Sequence, residues 1–133
     1  ELDVDFVDIN MGCPIDCITR RGAGSALMRR ANRLGEIVRG MTAVMETPLT
    51  LKMRTGWATD KPVAHRLVPQ VAEWAAASGR RVAAIAVHGR SREMRYTKVA
   101  DWDYVASVFD AQRRAVAAPG TSEAAERAAE LKA

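Results

Sequence analysis

Long apolar runs are missing from this chain of 133 residues. No stretch approaches the ~18 apolar residues a membrane span requires, which argues against an integral membrane protein. Cysteine is scarce: Cys13 and Cys17 are the only two, too few to staple a small secreted scaffold. The N-terminal ELDVDFVDIN has no basic segment leading into an apolar core, so it does not read as a signal peptide. It also lacks an initiator methionine and starts close to a strand. The chain is therefore expected to be a fragment, and a missing targeting signal then says nothing about location. No repeat of fixed period is present, and disorder is confined to a loop in the tail. What remains, 48% hydrophobic and 27% charged residues, is the composition of one globular domain.

Charge of one sign is locally absent. Residues 1–16 carry Glu1, Asp3, Asp5, Asp8 and Asp16 and no base. Residues 17–39 carry Arg20, Arg21, Arg29, Arg30, Arg33 and Arg39 against Glu36 alone. A second basic cluster runs through Arg80, Arg81, Arg90, Arg92, Arg95 and Lys98, against Glu93. The net charge is +4. Clustered arginine favours phosphate, nucleic acid included, although a solvated helix face has the same composition. Arg29, Arg30 and Arg33 fall on roughly one face of a helix and are the candidates for an RNA contact.

Three strand-length apolar runs stand out: Val4–Asn10, Leu49–Arg54 and Val82–His88. Between them Leu34, Ile37, Val38, Met41, Val44 and Met45 repeat at helical spacing over Ala31–Met45. Leu67, Val71, Trp74 and Ala75 do so over Val63–Ala77, with Gly79 placed as a C-terminal cap. After the third run Asp101 can cap a helix through Trp102, Val105, Val108 and Phe109. A further Ala/Glu-rich helix is expected over Ser122–Lys132. Ala115–Ala118 is the one, weak, candidate for a fourth strand.

The alternation of strand and helix predicts parallel strands joined by crossover helices. Each strand has one apolar face and one that turns polar toward its C-terminal end. Leu49, Leu51 and Met53 oppose Thr50, Lys52 and Arg54; Ala83, Ile85 and Val87 oppose Ala84, Ala86 and His88; Val7 and Ile9 oppose Asp8 and Asn10. That pattern suits a (β/α)8 barrel, whose inner face becomes polar at the C-terminal mouth, better than an open doubly wound sheet. The predicted fold is α/β: a partial TIM (β/α)8 barrel of about three β/α units over residues 1–109, with a helical tail over 110–133. The three strands are expected to be adjacent in chain order, with Cys13, Lys52 and His88 at their C-terminal ends on one side.

Asn10 and Cys13, Lys52 and Arg54, and His88 and Arg90 are thus brought to one mouth. Taken singly, a lone cysteine is usually a small buried hydrophobe, a lone histidine a hydrogen-bonded structural residue, and Lys52 a partner for a carboxylate such as Asp8. Their shared position at strand ends argues for a site. In Asn10-Met-Gly-Cys-Pro14 the glycine permits a tight turn and the proline fixes the chain after the thiol. Such a thiol can donate a proton or attack as a nucleophile. Cys13, Cys17, His65 and His88 match no familiar zinc spacing, so no metal is expected.

Four blocks in order, DFVDINMGCP from Asp5, RRGAGSALM from Arg20, PLTLKMRTGW from Pro48 and VHGRSREMRYTKVADWDY from Val87, resemble the tRNA-dihydrouridine synthase family. The last block most resembles its eukaryotic dihydrouridine-47 branch. The resemblance implies an FMN-binding TIM barrel that uses NADPH or NADH to reduce one tRNA uridine to 5,6-dihydrouridine, with no membrane partner, in cytoplasm or nucleus. It implies that Cys13 is the catalytic cysteine protonating uracil C5 while hydride reaches C6. Asn10 then lies near the substrate base, Lys52 beside the flavin N1–C2 edge, and His88 and Arg90 at the flavin. A fixed ammonium there favours negative charge on the ring, and a basic rim would grip phosphates while the base leaves its stack. By the same resemblance the first three strands, the last two with their phosphate-binding loops, and a C-terminal RNA-binding domain are absent. Two alternatives stay open: another FMN-dependent barrel acting on a small pyrimidine, as in dihydroorotate oxidation, and an inactive truncated fragment that only binds RNA.

Overall fold

The computed structural model describes residues 3–117. Its order is strand β1 (Val7–Met11), helix α1 (Asp16–Thr19), a 3-10 segment (Gly24–Arg29), α2 (Ala31–Val44), β2 (Leu49–Arg54), α3 (Ala64–Ala76), β3 (Val82–His88) and α4 (Trp102–Ala117). The strands form one sheet in the order β1-β2-β3, and both pairings are parallel. Parallel neighbours joined by helices are the (β/α) unit of the predicted partial barrel. Of the tail, Ala115–Ala117 belong to α4 and not to a fourth strand. The expected helix over Ser122–Lys132 lies outside the described residues. No helix among the described residues is long and apolar enough to cross a membrane.

Two strands, β2 and β3, have the expected bounds, whereas β1 begins three residues late. Its first ladder bond runs from the Val7 amide to the Pro48 carbonyl, 2.9 Å. Proline has no N–H to extend the ladder further back. Within β3 the register slips: Leu49 pairs with Val82, but Thr50 pairs with Ala84. Ala83 is the extra residue of a bulge. The helix-facing set is therefore Val82, Ile85 and Val87, all packed against the core, and Ala83, expected on that face, is exposed.

The core lies between the sheet and α2 and α3. Met11, Leu34, Val38, Leu51, Met53 and Val71 are all completely buried. Burial of each such side chain stabilises by roughly 1.5–3 kcal/mol. Residue spacing predicts no element over 14–28, yet the 3-10 segment buries Ser25, Ala26, Leu27 and Met28 and packs against β1.

Helix ends follow local chemistry. Gly79 takes φ +68, with Gly79 N–H on the Ala76 carbonyl (2.9 Å) and Arg80 N–H on the Ala75 carbonyl (3.3 Å): a Schellman cap ends α3. Asp101 Oδ1 accepts the Tyr104 amide at 2.8 Å and starts α4. The start of α3 has no side-chain cap of its own. The Thr55 carbonyl takes the Val63 and Ala64 amides, and the Tyr104 hydroxyl takes that of His65.

Helix α4 buries less than its pattern promised. Trp102 is 72% and Phe109 65% exposed, and Val108 is its one buried residue. β3 is the last strand of the sheet, so beyond it no described strand supports the outer part of this helix. An apolar groove of about 860 Å³ remains among α3, β3 and α4.

Candidate active site at the strand ends

Because the pairings run in step beyond the bulge, the polar face of the sheet is a short lattice. Asn10, Lys52 and Ala86 stand side by side, and Arg54 and His88 form the next rung toward the C-terminal ends. This is the face away from the helices. One rung lower, Thr50 Oγ1 donates to Asp8 Oδ1 at 2.8 Å. Asp8 is thereby held by Thr50. Lys52 is exposed, and its side chain makes no hydrogen bond or ion pair among the described residues. Its neighbour Ala86 is exposed as well.

Cys13 is a half-buried free thiol on a loop fixed from several directions. Asn10 Oδ1 accepts the amides of Gly12 (3.0 Å) and Cys13 (3.1 Å), so Asn10 shapes the thiol's turn from its own strand. The Cys13 carbonyl accepts the Ser25 amide at 3.0 Å. Gly24 lies so close behind that a Cβ there would come within 2.8 Å of the Cys13 oxygen, at φ +57. Only glycine fits both conditions. Cys17 is exposed on α1.

Arg90 Nη1 lies 3.1 Å from His88 Nε2, and Arg90 Nε donates to the Lys98 carbonyl at 2.9 Å. A guanidinium can only donate, so His88 Nε2 accepts and the ring proton resides on Nδ1. Burial first, then the cations Arg54, Lys52 and Arg90, hold the His88 pKa below its ordinary value. The ring is kept neutral, a hydrogen-bond donor at Nδ1.

Arg54, noted in the sequence merely as a polar strand end, proves to be a hub. It is 3% exposed. Nε donates to the Gly12 carbonyl at 2.7 Å, and Nη1 donates to the carbonyls of Ser91 (3.1 Å) and Arg95 (2.7 Å). Its guanidinium lies 5.4 Å from the Tyr96 ring centroid. Burial, the largest influence, lowers its pKa, while Tyr96 and Cys13 favour the charged form. The spacing Lys52-x-Arg54 on one strand face was the available signal.

The loops above the sheet are stitched together. Thr55 N–H reaches the Arg90 carbonyl at 3.2 Å and Arg92 N–H the Gly56 carbonyl at 2.9 Å, carrying the β2–β3 ladder beyond the strands. Trp57 stacks against two guanidinium groups, Arg29 at 4.9 Å and Arg92 at 4.6 Å. Arg92 is also ion-paired to Asp16. One loop from each strand meets there, a contact invisible in any single sequence window. The three arginines do not share one helix face: Arg29 ends the 3-10 segment and is engaged as well as exposed, Arg30 is the non-helical residue before α2, and only Arg33 lies within that helix, all three exposed. That helix has neither a side-chain cap nor an acid in its first turn.

The second basic cluster does not form one patch. Arg80 and Arg81 precede β3, whereas Arg90, Arg92, Arg95 and Lys98 follow it. A seven-residue strand separates them by about 20 Å at 3.3 Å per residue. Nor do Cys13, Cys17, His65 and His88 gather. His65 Nδ1 instead meets the Tyr104 hydroxyl at 2.8 Å, and among the described residues no three His, Cys, Asp or Glu are grouped to hold an ion.

A parallel sheet with its polar groups collected at the C-terminal ends is the arrangement of a partial (β/α)8 barrel with its site at the mouth. The family model for dihydrouridine synthase matches residues 1–131, and the chain belongs to that family. It is 49% identical over 109 residues to the NAD(P)(+) tRNA-dihydrouridine(47) synthase-like protein of Xenopus tropicalis, covering 82% of this chain and 16% of the relative. To its human counterpart it is 51% identical over 104 residues (78% and 15%). To the tRNA-dihydrouridine(47) synthase of Cryptococcus neoformans var. neoformans it is 52% identical over 116 residues (86% and 15%). The chain thus spans 15–16% of the length of these relatives.

Proposed function

We propose that the protein containing this segment reduces a uridine of tRNA to 5,6-dihydrouridine, with FMN as cofactor and NADPH or NADH as reductant. The names of the relatives point to position 47. The observation that carries this reading is the collection of Cys13, Lys52 and His88 at one end of three adjacent parallel strands.

The residues fit a flavin edge. An unpaired ammonium at Lys52 stands next to the small, exposed Ala86, and a flat ring would lie over them. A neutral His88 offers Nδ1–H from the next rung, and Arg90 holds that tautomer. A bound flavin would supply the hydride. Lys52 would then neutralise charge on the N1–C2 edge, and fixed charges in such a site need no rearrangement as the reaction proceeds.

Cys13 would hold the proton for uracil C5. Its turn is fixed by Asn10 and Gly24, and a thiol held in place in this way can act as a general acid. Asn10 gives its side-chain oxygen to that turn, and its amide N–H groups would face the substrate base. Arg29, Arg30 and Arg33 would meet tRNA phosphates: the uncapped start of α2 among them adds donors and a positive dipole end. By the same reading the activity is placed in cytoplasm or nucleus.

The test is to supply the whole protein with FMN, NADPH and unmodified tRNA and to map modified nucleotides by mass spectrometry of nuclease digests. A gain of two hydrogens at one uridine supports the reading. Reduction of a free pyrimidine without tRNA would favour the small-substrate flavoenzyme. RNA binding with neither flavin nor reduction would leave a binding fragment.

A further inference from the structure

A buried guanidinium with no carboxylate among its hydrogen-bond partners needs a reason to be there. Arg54 spends its donors on three backbone carbonyls from two different loops: Gly12 after β1, and Ser91 and Arg95 after β3. Gly12 directly precedes Cys13, and its own amide, like that of Cys13, is held by Asn10 Oδ1. The turn carrying the thiol is thus gripped on its amide side by β1 and on its carbonyl side by β2. On the other loop, Arg95 is held in the left-handed region at φ 49, a conformation disfavoured for a side chain of its kind. Its carbonyl faces Arg54 at 2.7 Å. The neighbouring left-handed residue, Lys98 at φ 62, offers its carbonyl to Arg90, which in turn orients His88.

We propose that Arg54 is a positioning residue. It locks the Cys13 turn to the β3 loop, so that the thiol and the His88–Arg90 pair keep one fixed relation across the mouth. The catalytic part of this inference rests on the uridine-reductase reading above; the geometric part does not. Lysine cannot replace it. An ammonium is a single point of charge, whereas the fan of three carbonyls follows the planar fork of a guanidinium. Displacement of a proton donor by about 1 Å can cost as much as a hundredfold in rate.

The test uses Arg54→Lys in the whole protein. The first readout needs neither flavin nor RNA: the rates at which iodoacetamide alkylates Cys13 and Cys17, followed by peptide mass spectrometry. The exposed Cys17 serves as internal reference. The Cys13 rate should change at least about fivefold while the Cys17 rate holds, because the two sit in different surroundings. The second readout is uridine reduction. Turnover should fall at least about tenfold with KM for tRNA within about twofold. Unchanged alkylation would overturn the proposal. So would both thiols reacting as in the denatured chain, which would make Arg54 a residue of the fold alone. A rise in KM with turnover intact would also overturn it, by making Arg54 a substrate contact. If alkylation shifts as stated while no uridine is reduced even by the unmodified protein, the positioning role stands and the assigned reaction falls.

Discussion

The two faces of the same three strands have opposite characters. Toward the helices, Met11, Leu51 and Met53 are completely buried, and α2 and α3 cover them. Away from the helices, Asp8, Asn10, Lys52, Ala84 and Ala86 are exposed, and the rung at the C-terminal end holds Arg54 and His88. One residue of translation along β2 separates a core leucine from the candidate flavin lysine. The period of two in a strand lets stability and chemistry occupy alternate positions of one segment. Substitutions should therefore sort by parity: odd positions of β2 govern whether the protein folds, and Lys52 and Arg54 govern what it does.

The comparison breaks most readily on the helix side. Leu51→Ala removes a completely buried side chain and is expected to cost about 2–5 kcal/mol, read as a lower denaturation midpoint. On the opposite face Thr50→Ala, which loses one exposed hydrogen bond to Asp8, should cost under about 1.5 kcal/mol. Equal losses would dissolve the distinction. Gly24→Ala stands between them, since its new methyl meets the Cys13 carbonyl at 2.8 Å. A loss of about 1–3 kcal/mol, accompanied by altered Cys13 alkylation, is expected from that clash and the left-handed backbone.

Smaller effects sharpen the account of the mouth. Replacing Arg29, Arg30 and Arg33 together by alanine should flatten the dependence of log Kd for tRNA on log salt by about two to three units, at close to one per lost phosphate contact. An unchanged slope would leave them as ordinary solvated surface. The smallest effect concerns His88. Its pKa is depressed in the folded protein from the ordinary 6.5 by burial and by Arg54, Lys52 and Arg90. The unfolded chain then binds the proton first as pH falls. The contribution of His88 to stability is full above about pH 6.5 and is lost as pH drops toward the folded pKa. Melting temperatures measured through that window should decline, and His88→Asn should reduce the slope.

The legible parts of the molecule were those written in local pattern. Strand β2, helices α2 and α3 and the Gly79 cap follow from residue spacing and lie within a residue or so of their expected bounds. The parity of Lys52 and Arg54 followed from the same reasoning. What the pattern could not show is partnership at a distance. The late start of β1 depends on Pro48 across the sheet, and the bulge at Ala83 is a property of the β2–β3 pairing. The exposure of Trp102 and Phe109 depends on where the sheet ends. Arg54 looked like one more charge until Gly12, Ser91 and Arg95 were brought around it. Likewise nothing local links Arg29, Trp57 and Arg92, and the 3-10 segment behind Cys13 has no periodic signature.

The division between the two faces also bears on the 133 residues alone. Among the described residues both β1 and β3 are edge strands, with backbone groups open to pairing. The polar face has no described strand opposite it. Titrated with FMN, the isolated chain should show no stoichiometric binding and should tend to aggregate; a soluble monomer with a shifted flavin spectrum would mean that three β/α units suffice for the site.

The central claim is that Cys13 serves the uridine and not the flavin. Its most direct test is Cys13→Ala in the whole protein, with the two half-reactions measured separately by stopped-flow flavin absorbance. Reduction by NADPH should proceed at the unmodified rate, whereas reoxidation by tRNA should slow by at least about a hundredfold, the loss expected for a positioned general acid. Equal slowing of both half-reactions, or of neither, would contradict the assignment.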